Sequence, residues 1–160
     1  MLFPISPFWV IIKTLELGSV LRLMYGLRSD ILDKVVEDMG LLPTEKHILF
    51  NSTKIIIDFR NYCAHFGLVN RFLTKENIRI NTDLVNSLNL KTKSDGHSHY
   101  EIRLYDTLQV LSQFTNLEEV SSLFKEFFMS DDCLIDSKLL IKLLNRMGND
   151  DFSNWCNFKG

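Results

Sequence analysis

Between Thr44 and Gly67 the apolar residues recur at intervals of four and three, a spacing that suits a helix and defeats a strand. At 3.6 residues per turn, Ile48, Ser52, Ile55, Phe59, Tyr62 and Phe66 fall on one stripe, which is expected to face the core. The spacing therefore predicts a long helix, capped at Thr44, running to about Phe66 and ended by Gly67. Lys54, Asp58, Asn61 and His65 lie on an adjacent strip within an arc of about 60°. Such a polar line is either a solvated face, with an Asp58–Lys54 pair worth a few tenths of a kcal/mol, or the floor of a cleft.

The rest of the chain also reads as helix, so the expected fold class is all-α, with one long polar loop. Pro7 suits the first position of a helix opening at Ser6 and running to about Leu27, with Gly18 a bend or close-packing point. Ser29 is expected to cap a second helix over Asp30 to Met39, which Gly40 ends. Thr74 to Tyr100 is rich in Asn, Lys, Ser and Thr and reads as a loop with one short element at Asp83 to Leu88. Three helices follow, at Glu101–Phe114, Leu117–Met129 and Ser137–Met147. With 160 residues and 46% hydrophobic content the chain is expected to form one domain, 1–160, as a bundle of five to six helices.

Charge and cysteine usage narrow the function. A net charge of −2 argues against a broad nucleic-acid-coating surface, so any contact with nucleic acid should be local. Cys63, Cys133 and Cys156 form no C-x-x-C pair and leave one thiol over in any disulfide scheme, which fits a reducing compartment; the cytoplasm is the expected location. The apolar run before Lys13 has no basic leader and is shorter than the roughly 18 residues a spanning helix needs, so neither export nor membrane insertion is expected.

The chemistry concentrates in Arg60-Asn61-Tyr62-Cys63-Ala64-His65. Arginine clamps phosphate through a planar fork of donors and histidine exchanges a proton near neutral pH, so the pair supplies two needs of phosphodiester cleavage without a metal. The competing reading is a surface cation followed by a helix-end histidine. Arg60 and His65 also diverge by about 140° on an ideal helix. Either the helix loosens before Gly67, or the site is built from two copies of the motif across a two-fold axis.

The hexapeptide, with Leu68 and the Asn70-Arg71 pair after it, resembles the signature of the Abi-like abortive-infection proteins, whose core is a HEPN domain marked by an arginine, four to six residues and a histidine. The resemblance extends to Pro7-Phe8-Trp9-Val10, Leu15 and Gly18 upstream, and to Met147-Gly148 and Trp155 downstream. Leu17 stands where the family usually has phenylalanine, the interval from His65 to Asn70 is about one residue short, and the N-terminal region of longer members is expected to be absent.

The resemblance implies a HEPN-like helical bundle, an endoribonuclease that needs no cofactor, and a homodimer with a composite site. Products would be a 2′,3′-cyclic phosphate and a 5′-hydroxyl. Arg60, Asn61 and His65 would be the catalytic set, and Lys54, Asp58, Asn70 and Arg71 secondary candidates for binding the substrate. RNA would be the substrate, and an antitoxin or regulatory protein a further partner. The alternative is a non-catalytic HEPN-like module that binds RNA or a protein. No metal site is expected, since His97 and His99 after Asp95 lack a second ligand cluster. Cys63 points away from His65 on a helix and reads as a small hydrophobe. Trp9, Phe8, Phe127 and Phe128 lack interleaved basic residues and read as core or dimer interface.

Overall fold

The computed structural model describes residues 16–76, 78–91, 93–94, 100–130 and 136–158. They are all-α: eight α-helices, two short 3₁₀ turns and one ribbon of two-residue strands. Among the described residues no helix is long and apolar enough to cross a membrane. The chain divides into two compact units, residues 1–46 and 47–160, with the division at the start of the motif helix.

In the first unit, α1 spans Leu17–Tyr25 and α2 spans Ser29–Asp38. The expected start of α1 at Ser6, with Pro7, Phe8 and Trp9, lies outside the described residues. Gly18 is no bend: it sits inside α1, and among the described residues nothing lies within 4 Å of where a Cβ would be. Ser29 is the first residue of α2 and not its cap, a place taken by Arg28, whose side chain makes no capping bond. Gly40 ends α2 as expected. It takes φ +76, its N–H bonds the Glu37 carbonyl at 2.9 Å, and the Leu41 N–H bonds the Val36 carbonyl at 3.1 Å. The Lys46 ammonium joins the Asp33 carboxylate and the Ser29 hydroxyl, holding the 3₁₀ turn Pro43–Glu45 against α2. Thr44 falls inside that turn, so it does not cap the next helix.

The second unit is built around α3, Lys46–Ala64. Ile48 and Ile55 enter a cluster with Ile80, Leu84, Leu90, Ile102 and Val110. One turn further on, Phe59 packs against a second cluster that contains Tyr105, Leu108, Leu144, Met147 and Trp155. Both clusters take residues from α5, Leu104–Leu111, and the second is closed by α6, Glu118–Met129, α7, Ser137–Met147, and α8, Phe152–Trp155.

The stretch read as loop is ordered where it is described. It holds the helix α4, Thr82–Ser87, capped by Asn81, whose side chain accepts the Asp83 N–H at 2.7 Å. It also holds β1, Lys93–Ser94, paired antiparallel with β2, Tyr100–Glu101. Because Glu101 belongs to β2 and Arg103 bridges Leu73, α5 begins three residues later than its apolar spacing predicts.

Candidate functional site

The end of α3 is closed by a hydrogen-bonded cap. The Gly67 N–H bonds the Tyr62 carbonyl at 3.0 Å and the Phe66 N–H bonds the Cys63 carbonyl at 3.1 Å, the paired bonds of a Schellman motif. In that motif the residue in the left-handed conformation is usually glycine; here it is Phe66, at φ +60, with a side chain 95% exposed. Phe66 thus leaves the apolar stripe and does not face the core, a correction to the helical reading, which carried regular geometry one turn too far. Gly67 is required for a different reason. A Cβ there would lie 2.3 Å from the Tyr62 ring, which covers the turn and donates its hydroxyl to the Leu68 carbonyl at 3.2 Å.

The helix does not loosen before its end. The His65 N–H still bonds the Asn61 carbonyl at 3.1 Å, so the angular separation of Arg60 from His65 is retained. Arg60 is exposed and leans sideways, donating Nη1 to the Asn61 Oδ1 at 3.1 Å. Asn61 and His65 line one open cavity of about 460 Å³, together with Tyr62, Gly67 and Lys75. Arg60 is not in its wall and reaches it only through the Asn61 amide.

Lys75 arrives from the segment that folds back over α3. Phe72, only 2% exposed, meets Phe59 and Tyr62 edge-on, with ring centroids 4.9 and 5.3 Å away. Thr74 is then held on both sides of Ile102: its N–H donates to the Ile102 carbonyl at 3.0 Å, and its hydroxyl accepts the Ile102 N–H at 3.2 Å. Asp58 takes the next residue. Its Oδ2 accepts the Lys75 N–H at 3.1 Å and its Oδ1 lies 3.4 Å from the Lys75 ammonium.

Asp58 is only 5% exposed, so it is a buried anchor for Lys75 and not part of a solvated helix face. This corrects half of the polar-strip reading, since Lys54 and His65 on the same strip are exposed and Asn61 is half-buried. Burying a carboxylate without partners is costly, and the two donors from Lys75 satisfy it.

The other candidates lie elsewhere. Asn70, in the 3₁₀ turn Val69–Arg71, lines a separate apolar cavity of about 360 Å³ with Leu123, Phe124, Phe127, Phe128, Leu143 and Met147. Arg71 is exposed on the same turn. Cys63 is exposed and unpaired, which corrects its reading as a small buried hydrophobe. His97 and His99 lie outside the described residues, and among the described residues no three His, Cys, Asp or Glu side chains could hold a metal ion together. Sequence reasoning missed Lys75, because nothing local in a polar segment marks which lysine folds back onto a distant helix.

Residues 4–70, less than half of the chain, match the profile of a family described as Abi-like protein. The matched region contains Arg60, Asn61 and His65 and ends at Asn70, short of Lys75. No curated protein and no solved structure matches the chain.

Proposed function

We propose that the chain is a metal-independent endoribonuclease of the HEPN type, serving as an abortive-infection or toxin-like effector. One observation carries this reading: His65 and the amide of Asn61 share a cavity at the end of a capped, regular helix, with Arg60 hydrogen-bonded to that amide. The similarity of residues 4–70 to Abi-like proteins supports the biological setting.

RNA brings its own nucleophile, the 2′-hydroxyl. The protein has to remove that proton, align the oxygen with the P–O5′ bond and stabilise charge on the phosphorane. In the proposed step the 2′-oxygen bonds to phosphorus as its proton passes to a base. The P–O5′ bond breaks, and the 5′-oxygen takes a proton from an acid. His65 acts as base or acid, Asn61 orients the ring or a phosphate oxygen, and Arg60 clamps the phosphate.

Because Arg60 and His65 point apart on a helix that stays regular, the complete site is proposed to form across a two-fold axis, with Arg60 of one copy beside the phosphate held at His65 of the other. The exposed side chains of Phe66, Leu68, Val69 and Leu73 leave apolar surface around this end of α3 for such a contact.

The test is incubation of the purified protein with total RNA in EDTA, with end mapping. Cleavage leaving 2′,3′-cyclic phosphates and 5′-hydroxyls is expected, and is expected to vanish in His65→Ala. Strict dependence on added magnesium or manganese would refute the reading.

A further inference from the structure

We infer that Lys75 is a phosphate-contacting residue of the cavity that holds Asn61 and His65, and that Asp58 is the residue that positions it. The inference rests on the proposed reading of that cavity as an RNA site and adds a substrate-binding group to it.

Arg60 and Lys75 both lie near the motif, but they stand differently to the cavity wall. Arg60 lies outside it and is turned onto Asn61, whereas Lys75 is in the wall with Asn61 and His65. A lysine ammonium carries three N–H donors. In this structure its carboxylate partner lies to one side, at 3.4 Å, while the side chain remains 69% exposed, so donors stay available to a ligand in the cavity.

Its backbone is held by groups distant in sequence. The Lys75 N–H is held by Asp58, and Thr74 before it is bonded in both directions to Ile102. Asp58 itself is buried in α3, two turns before His65. The base of the lysine is thus tied to the same rigid helix that carries Asn61 and His65. A ligand phosphate between them would meet a cation anchored by Asp58 and the acid–base group of His65. Phosphate is the matching chemistry: it accepts several charge-assisted hydrogen bonds at once, and along a single strand it recurs at each nucleotide.

The experiment measures binding of a single-stranded 2′-O-methyl RNA oligonucleotide, which lacks the nucleophile and stays intact, as a function of salt. The proteins compared are wild type, Lys75→Met, Lys75→Arg and the control Lys125→Met, whose lysine is exposed on α6. Lys75→Met is expected to weaken binding about tenfold, as loss of one charge-assisted hydrogen bond does, and to flatten the slope of log K against log salt by about 0.7. Lys75→Arg is expected to restore both, and Lys125→Met to leave both unchanged. If wild type binds and Lys75→Met behaves like wild type or like Lys125→Met, the inference is overturned and the RNA reading survives. If wild type binds no RNA, both fall. Substitution at position 75 keeps the backbone N–H that Asp58 accepts, and urea unfolding of each variant separates loss of the ammonium's phosphate contact from loss of its contact with buried Asp58.

Discussion

Asp106 offers a prediction whose size follows from its surroundings. The residue sits in the first turn of α5 and is 0% exposed. Its Oδ1 accepts the Lys91 N–H at 2.7 Å, while Oδ2 is buried without a partner among the described residues. Removal from water pushes its carboxyl up to about 6 from an ordinary 3.8, against the opposing pull of the Lys91 N–H bond, the Arg103 backbone N–H and the nearby charges of both residues. The folded state therefore holds this proton more tightly than the unfolded chain does. The resulting stability is fully present below about pH 4 and is lost as pH rises through about 6, because the folded protein then carries a buried charge. At 1.36 kcal/mol for each tenfold change in proton affinity, the loss amounts to about 3 kcal/mol.

Asp106→Asn removes the titration and keeps an oxygen for the Lys91 N–H. The new amide brings an unpaired donor with a fixed cost of about 1–3 kcal/mol that does not vary with pH. The stability of the variant minus that of wild type should therefore rise by about 2.5 kcal/mol between pH 4 and pH 7.5, whatever its value at pH 4. Urea unfolding at five or six pH values measures it. A difference that stays flat across that range would show that Asp106 is solvated or paired in the folded protein.

Other changes act at the end of α3. Gly67→Ala places a methyl group against the Tyr62 ring, so unfolding free energy is expected to fall by about 1–3 kcal/mol in urea titrations, and RNA cleavage is expected to fall with it as the cavity wall moves. Phe66→Gly relieves a left-handed conformation that costs about 1–2 kcal/mol and adds chain entropy to the unfolded state, so a net gain of roughly 0.5 kcal/mol is expected in the same assay. If the site is shared between copies, mixing Arg60→Ala with His65→Ala protein should restore part of the cleavage that each lacks alone. An active monomer in sedimentation at assay concentration would rule that arrangement out.

The helices were legible where their apolar periodicity ran to a clear terminator. The spacing gives Ser137–Met147 to the residue, since the glycine that follows, Gly148, takes φ +114 against the Arg103 side chain, and Gly40 ends α2 by the same left-handed turn. Reading failed where a partner distant in sequence overrode local preference. Ser29 and Thr44 are good caps by residue type, but a Lys46 contact to Ser29 and a 3₁₀ turn at Pro43–Glu45 take those positions for other uses. The start of α5 was missed because Glu101 pairs with Lys93 across a ribbon that a polar sequence does not announce.

The same limit governs the site. Asn61 and His65 share a cavity because they are four residues apart on one helix, a relation that periodicity alone supplies. Asp58 lies on that strip too, and periodicity placed it correctly, but whether it faced water depended on what crossed over it. What crosses is the segment from Phe72 to Lys75, pinned by an aromatic contact to α3 and by a bridge to Ile102. It converts a surface aspartate into a buried anchor and brings a lysine beside the histidine. Arg60, by contrast, is the residue that the motif singles out and the cavity leaves aside. A regular helix can place two groups on one face at intervals of three or four, and the interval of five between Arg60 and His65 is what a second copy of the chain would have to bridge.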